Sequence, residues 1–368
     1  MNEIITCGFC GAVLTEDEAR EFQGRYYCEE CLESNTNVCQ DCGDRVWNSE
    51  IRSDGNTTVC NDCYDDNYNT CETCGRIIHN DQSYYDEDGD IPYCHNCYVQ
   101  LEEAAIKPYS YKPPEVRFFG NGPLFMGVEL EIDGAGELHD NAQALIDAAN
   151  GKKFHIYTKH DGSLDDGLEI VSHPMSLEYH INEMPWRDVM EKAIDMHYRS
   201  HNTSTCGLHV HVNRTAFGKT YEEQEAVIAR IVHFFELHWN ELVRFSRRTE
   251  ANLQHWASRY GISDSAKDTY KKAKDKHLGR YVAVNLENYS TVEFRMWRGT
   301  LRYETFIATL QLVHEICRFA ICLGDKEIEN MAWSEFVLKI NPEFRELIAY
   351  LKSKRLYVNE IENEREEM

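Results

Sequence analysis

Three stretches of the chain alternate apolar and polar residues with a period of two: GVELEID at 127–133, LHVHVN at 208–213 and VEFRM at 292–296. Successive side chains of a β-strand point to opposite faces, so this pattern predicts strands with one apolar and one polar face. We expect the apolar positions to build a core and the polar ones to project together from an open face. The apolar set is Val128, Leu130, Ile132, Leu208, Val210, Val212, Val292, Phe294 and Met296, and the polar set is Glu129, Glu131, His209, His211, Glu293 and Arg295.

The surrounding pattern predicts an α+β domain over residues 116–355. Irregular alternation of strands and helices favours a mainly antiparallel sheet with helices packed on one face. Residues 99–115 carry three prolines in seven residues and predict a short helical exit followed by a stiff linker. The charged residues 356–368 predict a tail without fixed structure. Strands are expected at 124–133, 154–159, 167–173, 207–213, 280–287 and 291–297, and helices at 139–150, 176–198, 220–246, 302–322 and 343–354.

The region before residue 98 is an internal repeat built on cysteine. Twelve of the fifteen cysteines lie there in six CxxC pairs, and the opening pairs recur every 32 residues. The repeat boundaries fall near 1–35, 36–67 and 68–98, and each unit is too small to fold on apolar burial alone. The four-cysteine sets are Cys7, Cys10, Cys28 and Cys31, then Cys39, Cys42, Cys60 and Cys63, then Cys71, Cys74, Cys94 and Cys97.

Paired CxxC knuckles about 17–20 residues apart can hold a tetrahedral Zn²⁺ through four thiolates, and the metal would supply the missing stability. The sequence therefore predicts three structural, zinc-ribbon-like Zn²⁺ sites. Disulfides suit exported chains, and redox catalysis needs an electropositive setting. Residues 1–105 instead hold five Arg, no Lys and 23 Asp plus Glu. We expect a protein-binding module that suits a basic partner, and we expect the remaining Cys206, Cys317 and Cys322 to be buried thiols.

Charge and composition narrow the class of protein. The formal net charge is −25, whereas nucleic acids and anionic membrane surfaces attract clustered Lys and Arg. No uninterrupted apolar run approaches the roughly 20 residues of a membrane span, and the first residues lack a signal-peptide pattern. These features predict a cytoplasmic protein with neither a membrane nor a nucleic-acid partner.

The polar strand faces carry the candidate chemistry. Glu129 and Glu131 lie two apart, with Cα atoms about 6.5–7 Å apart by strand rise. Two such carboxylates repel unless a cation lies between them, and Mg²⁺ prefers oxygen ligands; the alternative is a charged face in water. His209 and His211 also favour a site, although an HxH pair occurs in zinc hydrolases as well.

Further polar residues extend this pattern. Glu169 lies between apolar neighbours, and Asp161 begins a turn-forming Asp-Gly-Ser stretch that is either a plain turn or functional. Glu293 and Arg295 could form a cross-strand ion pair. Alternatively, Arg295 with Arg280, Arg298 and Arg302 suits polyphosphate, because guanidinium binds phosphate in a forked geometry. No glycine-rich phosphate loop is present, so a nucleotide would bind through metal and arginine.

Five motifs, taken in order, resemble the amidoligase family. They are GVELEID (127–133), DGSL (161–164), GLEIVSHP (167–174), CGLHVHVN (206–213) and VEFRMWRGT (292–300). That family belongs to the carboxylate–amine ligases related to glutamine synthetase and glutamate–cysteine ligase. The resemblance covers roughly residues 116–325 and does not include the cysteine repeats. It implies a curved antiparallel sheet that forms an open funnel, together with ATP and two Mg²⁺ ions.

The resemblance also implies metal ligands. Glu131 and Glu169 match ligands of one Mg²⁺. Glu129, His209 and Glu293 match ligands of the Mg²⁺ that bridges the ATP phosphates.

Roles for the remaining polar residues follow from the same resemblance. His211 is expected near phosphate, and Arg295 matches the residue that stabilises the transferring γ-phosphoryl group. Arg280 is expected to bind phosphate, Arg298 follows in the same motif, and Asp161 is expected to position the incoming amine.

The sequence therefore predicts an ATP- and Mg²⁺-dependent ligase that forms an amide bond between a carboxylate and an amine through an acyl phosphate. The substrates could be small acids, peptides or protein tails. Two alternatives stay open: a metal-dependent hydrolase that acts without nucleotide, and a non-catalytic adaptor whose ligase fold is vestigial.

Overall fold

A computed structural model describes residues 4–85, 91–151, 153–201, 203, 205–275 and 279–358, without the side chains of 101–103. The chain divides into two compact units. The first comprises Met1–Ala104 and Lys112–Pro114, and the second comprises Ala105–Tyr111 and Glu115–Met368. Most of the predicted charged tail, from residue 359 onward, lies outside the described residues.

The first unit contains three repeats of one plan, each with two antiparallel hairpins followed by a helix. Each helix begins directly after the first cysteine of the closing pair, at Cys28, Cys60 and Cys94. The ribbon-like description is therefore incomplete, because the closing pair lies on the first turn of a helix. The helices are Glu29–Asn35, Asn61–Asn67 and His95–Glu103, and the paired strands are Ile5–Thr6 with Val13–Leu14, Arg20–Phe22 with Arg25–Tyr27, Thr36–Val38 with Arg45–Trp47, Ile51–Ser53 with Thr58–Cys60, Tyr68–Thr70 with Ile77–His79, and Tyr84–Tyr85 with Pro92–Tyr93.

A glycine closes the opening knuckle of every repeat. Gly11, Gly43 and Gly75 have φ angles of 72°, 78° and 70°, a region that side-chain-bearing residues adopt only with strain. Each donates its N–H to the carbonyl of the first cysteine in its pair, at 2.9–3.0 Å. The glycine thus folds the two cysteines of the pair around one point.

The three repeats pack into one another. The Trp47 ring of the second repeat lies 5.6 Å from Phe9 and 5.5 Å from Tyr27 of the first. Ile77 of the third repeat is buried in the small core of the second, beside Val59. We therefore expect the repeats to unfold together.

The second unit is built on a seven-stranded sheet. The strands are β1 (Ile106–Lys107), β2 (Met126–Asp133), β3 (Ile156–Lys159), β4 (Gly167–Ser172), β5 (Gly207–Asn213), β6 (Val284–Asn285) and β7 (Thr291–Arg298). Their order is β1-β3-β4-β2-β5-β7-β6, and all neighbours are antiparallel except β1 and β3. This confirms the α+β class and the mainly antiparallel pairing. Strand β1 lies within the predicted linker at 99–115 and joins the edge of the sheet.

The helices follow the predicted positions, with two of the long ones divided. The predicted 176–198 helix is broken at Pro185, which has no N–H to continue it. The predicted 220–246 helix is interrupted at His238. The helices of this unit are α1 (His139–Asn150), α2 (Leu177–Asn182), α3 (Trp186–Asp195), α4 (Tyr221–Leu237), α5 (Trp239–Ser246), α6 (Glu250–Trp256), α7 (Ala266–Asp275), α8 (Tyr303–Cys322), α9 (Asp325–Glu329), α10 (Trp333–Leu338) and α11 (Arg345–Ser353). Four of them, α6, α7, α9 and α10, were not predicted.

The apolar face of the sheet forms the core. All nine residues predicted for that face are at most 1% exposed, which confirms the alternation. The pairing register between β5 and β7 shifts between Phe294 and Trp297. As a result Trp297 enters the core, with its ring 5.9 Å from Phe235 and 5.6 Å from Phe245.

Helix α8 is the central core helix. By length and composition it could cross a membrane, but 78% of its apolar window is buried inside the protein. It packs against α4 and α11. Its apolar character therefore follows from burial among the other helices of this unit.

Candidate active site

Strands β2, β4, β5 and β7 bring the predicted polar residues together. The pairing register places these residues directly opposite one another on neighbouring strands. The three cross-strand pairs are Glu131 with Glu169, Glu129 with His209, and His211 with Glu293.

Most of this cluster is buried, which corrects the prediction of an open polar face, whereas Glu129 and His211 are half-buried. Glu131, Glu169, His209 and Glu293 are only 3–5% exposed. They line a cavity of about 220 Å³, whose lining also includes residues of the 248–256 and 280–288 segments. Alternation along a strand identifies which face a residue occupies, but it carries no information about distant segments that cover that face.

The donor set of the cluster fits cations. Two groups, Glu129–Glu169–His209 and Glu129–His211–Glu293, bring one ligand atom from each member within 4.8 Å of the others. Glu129 belongs to both. Each group offers two carboxylates and one imidazole, which suits an oxygen-preferring ion such as Mg²⁺. The resemblance groups Glu131 with Glu169 instead, and these two lie opposite each other on β2 and β4.

Without a cation the cluster holds unfavourable negative charge. Burial raises the pKa of Glu169 well above its ordinary value, and the charges of Glu129 and Glu131 raise it further. Burial also raises the pKa of Glu131. A bound cation would remove this cost by neutralising the buried carboxylates.

The carboxylate of Glu129, in contrast, is stabilised by the neighbouring His209 and His211. Burial opposes ionisation of Glu129, but His211 and His209 hold the pKa of that carboxyl well below its usual range. Burial likewise lowers the pKa of His211, yet the charges of Glu129 and Glu293 raise it overall to about 9. The Nε2 atom of His211 lies 3.2 Å from Oε1 of Glu129.

The pKa values of Glu169 and Glu129 shift in opposite directions. We therefore expect substitution of each residue by Gln to change the melting temperature in opposite directions when no Mg²⁺ is added. The folded pKa of Glu169 is raised, so its contribution to stability falls as pH rises above the ordinary Glu range. The folded pKa of Glu129 is lowered, so its contribution is present at neutral pH and is lost as pH falls through the folded value. At pH 7 Glu169→Gln should raise the melting temperature and Glu129→Gln should lower it, by about 2–4 °C per kcal/mol.

Thermal unfolding of the full chain at several pH values checks this. The gain from Glu169→Gln should shrink as pH falls toward the ordinary Glu range, where the wild-type carboxyl is also neutral. A destabilised Glu169→Gln at pH 7 would contradict the repulsion.

Arginines surround the cluster, but not all of those predicted. The guanidinium of Arg295 donates to the Glu293 carboxylate, and its Nε atom is buried with no hydrogen-bond partner among the described residues. Arg280 lines the cavity and donates to the hydroxyl of Tyr281 at 3.2 Å. Arg298 is absent from the cavity lining, and Arg302 lines a different pocket.

Asp161 both forms a turn and lines the cavity. Its Oδ1 accepts a hydrogen bond from the Ser163 N–H at 2.8 Å, as in a turn. It also lines the cavity, and its charge adds to the rise in the Glu131 pKa.

Several residues of the site were not found from the sequence. Lys159 lies opposite Glu169, with Nζ 3.9 Å from Oε2, and its place on the polar face of β3 was the available signal. Asn285 donates to Glu293 Oε2 at 2.7 Å. Arg248 lies close enough to Glu131 for their charges to interact, and nothing in the local pattern marked it.

Gly207 makes this convergence possible. A Cβ atom there would lie 2.4 Å from Nη2 of Arg248 and 2.8 Å from Nε2 of His209. Its N–H donates to the Glu131 carboxylate. Any larger residue would push these groups apart.

The three four-cysteine clusters of the first unit also fit metal binding, with their sulfur atoms within 4.8 Å of one another. In the first cluster, backbone N–H groups of Cys10 and Cys28 lower the pKa of Cys7 to about 6. Hydrogen bonding to Cys28 raises the pKa of Cys31 to about 12. Four thiols so close cannot all ionise without a cation, and a Zn²⁺ would hold all four as thiolates.

The cysteines outside the repeats follow the prediction in two cases of three. Cys206 and Cys317 are buried, whereas Cys322 is exposed at the end of α8.

One comparison with known proteins bears on this site. Residues 145–317, just under half of the chain, match the model of a family described as "Putative amidoligase enzyme". The matched segment includes β4, β5 and β7 but begins after β2. The match supports an enzyme of ligase type. A comparison with curated proteins finds no match.

Proposed function

We propose that this protein is an ATP- and Mg²⁺-dependent ligase that joins a carboxylate to an amine through an acyl phosphate. The observation that carries the proposal is a buried cluster of carboxylates and histidines that adjoins Arg295 in one cavity. The family match over residues 145–317 supports the ligase class.

The proposed reaction needs activation of the acid. A carboxylate does not react with an amine at neutral pH, because its oxygen is a poor leaving group. In the first step a carboxylate oxygen attacks the γ-phosphorus of ATP, and the bond to ADP breaks. In the second step the amine nitrogen attacks the acyl carbon, loses a proton, and inorganic phosphate leaves.

The residues of the cluster have positioning and neutralising roles in this scheme. Glu129, Glu131, Glu169, His209 and Glu293 would hold two Mg²⁺ ions. When bound, Mg²⁺ neutralises charge on the phosphates and orients them.

The cavity arginines would act on the phosphates directly. Arg295 is held by Glu293 and has an unpartnered Nε, so it can donate to an oxygen of the transferring group. Arg280 would also bind a phosphate group. His211 would lie beside the phosphates.

The composition of the cluster favours this proposal over a zinc hydrolase. Each cation group contains two carboxylates and a single imidazole. Catalytic zinc more often takes two or three nitrogen or sulfur ligands. Asp161, which also lines the cavity, would attract the ammonium form of the incoming amine.

We also propose that the first unit binds three structural Zn²⁺ ions and docks a protein, which would make a peptide or protein tail a suitable substrate. Its excess of acidic over basic residues suits a basic partner.

Substitution of the ligands tests the proposed function. Glu131→Gln and Glu293→Gln retain the shape of the side chain but remove its charge. Each should reduce Mg²⁺-dependent ATP turnover at least as much as the roughly 10–100-fold typical of outer-shell mutations at metal sites. Glu178→Gln, at an exposed position outside the cavity, is the matched control. Turnover of the Glu131 and Glu293 variants equal to that of the control would reject the assignment.

A further inference from the structure

The second unit contains another, larger cavity of about 940 Å³ that shares no residue with the candidate active site. It is lined by residues at the carboxyl ends of α3 and α5, at the amino end of α8, and along the whole length of α11.

The side chains of this cavity are strongly basic in a protein whose net charge is −25. Among the described residues, the cavity lining contains two carboxylates, and both have partners: Glu304 lies 3.1 Å from Arg187, and Glu346 accepts from the Gln311 amide at 2.8 Å. The lining also contains five cationic residues: Arg199, Arg247, Arg302, Arg345 and Lys354.

Most of these cations lack compensating charge. Among the described residues, only Arg302 of the five has a carboxylate within ion-pair distance, at 3.6 Å from Glu304. The Nε atom of Arg247 is buried without a hydrogen-bond partner among the same residues. Burial lowers the pKa of Lys354, and the charges of Arg247 and Arg302 lower it further. An anion placed here would satisfy the donors and relieve the repulsion.

Two of the lining residues occupy backbone conformations that favour glycine. His197 (φ 73°) lies two residues after the end of α3, and Arg247 (φ 63°) directly follows α5. A left-handed residue just after a helix is usually glycine, because a Cβ atom strains that backbone conformation. The chain therefore places a cationic or titratable side chain at the cavity where glycine would be less strained.

The wall between the cations is partly apolar. Ile194, Leu301, Ala349 and the half-buried Tyr350 line it. The cavity therefore combines guanidinium groups, which bind phosphate oxygens in a forked geometry, with a surface that suits an organic body.

We propose that this cavity binds an organic phosphate of nucleotide size, at a site separate from the candidate active site. Its phosphates would lie against Arg247, Arg302 and Arg345, and its organic part against Leu301 and Tyr350. This inference does not depend on the proposed ligase reaction.

The test is calorimetric titration of the full zinc-bound chain with pyrophosphate and with ADP, without added Mg²⁺. Both probes should bind, and ADP should bind more tightly. Arg247→Gly should weaken both by at least about tenfold, as expected for the loss of a hydrogen bond to a charged group. Its melting temperature should not fall, because glycine relieves the left-handed strain.

Arg355→Gly is the matched control. Arg355 is exposed, has φ 54° and does not line the cavity, so this variant should bind like wild type. The double variant Arg302→Ala/Arg345→Ala removes two exposed cations and provides a second test if Arg247→Gly fails to fold. It should also weaken binding at least tenfold.

Four results would overturn the proposal. They are no binding of either probe to wild type, equal loss in Arg355→Gly, loss in Arg295→Ala in place of Arg247→Gly, and ADP that binds no more tightly than pyrophosphate. Loss of binding in Arg295→Ala in place of Arg247→Gly would place the ligand in the candidate active site. Equal affinity for ADP and pyrophosphate would show that the cavity does not recognise the organic part.

Discussion

Removal of zinc will unfold the first unit while the sheet of the second unit persists. The cores of the second and third repeats consist largely of their own cysteines, with Val59 and Ile77 in one and Ile78 and Tyr93 in the other. Little apolar burial remains once the thiolates separate. Zinc-finger peptides gain roughly 10–16 kcal/mol from metal at neutral pH, which exceeds what such cores can supply.

The measurement combines metal analysis with limited proteolysis. The protein as purified should contain about three Zn²⁺ per chain, and a strong chelator should make the first unit protease-sensitive. Cys63→Ser should lose at least one Zn²⁺, and neighbouring repeats should loosen as well, because Ile77 and Trp47 pack across repeat boundaries. Cys322→Ser, at an exposed cysteine outside the repeats, should change neither the zinc content nor the protease sensitivity. Disulfides in place of zinc would contradict this account.

Arg295→Lys should lose nearly as much turnover as Arg295→Ala. Lysine keeps the charge but cannot hold Glu293 and a phosphoryl oxygen in one planar fork. An arginine at a phosphoryl transition state is worth roughly 10³–10⁵ in rate in other enzymes. The defect should fall on kcat more than on KM, because the contact strengthens as charge moves onto the transferring group.

The ion pair between Arg295 and Glu293 makes stability the necessary control. Burial opposes the charge of Glu293, but His211 and Arg295 lower its pKa, so Arg295→Ala should also destabilise the fold. Lysine would restore that pairing in part. If Arg295→Lys recovered the rate per folded molecule along with the melting temperature, the arginine would be structural and its catalytic role would be rejected.

Alternation of residue types was sufficient to predict the sheet and the polar residues on it. Val128, Val210 and Phe294 are buried as predicted, and Glu129, His209 and Glu293 converge on the other face. This worked because the two-residue periodicity of a strand is a local property of the sequence. The bulge that sends Trp297 into the core depends on pairing with β5, and no local pattern marks it.

The residues that cover the site come from segments distant along the chain. The prediction of an open face was wrong because no local pattern shows which distant segments lie over it. The face expected to be open is lined by Trp256 and Tyr281 as well. Trp256 ends helix α6, which was not predicted, and Tyr281 lies in the 280–287 segment, which was predicted as a strand but is one only at Val284–Asn285. Arg302, expected near the metal cluster with Arg298, instead begins α8 beside the second cavity. Closeness along the chain does not imply a shared site where a strand ends and a helix starts.

The central claim is that this protein forms an amide bond at the expense of ATP. The most direct measurement incubates the full chain with ATP, Mg²⁺ and a pool of candidate acids, peptides and amines, and follows ADP and condensed products by mass spectrometry. We predict a product whose mass equals acid plus amine minus water, formed in equal amount to ADP and phosphate and absent with Glu293→Gln. Hydrolysis of a pool member without nucleotide, or a condensed product without ADP, would contradict the claim.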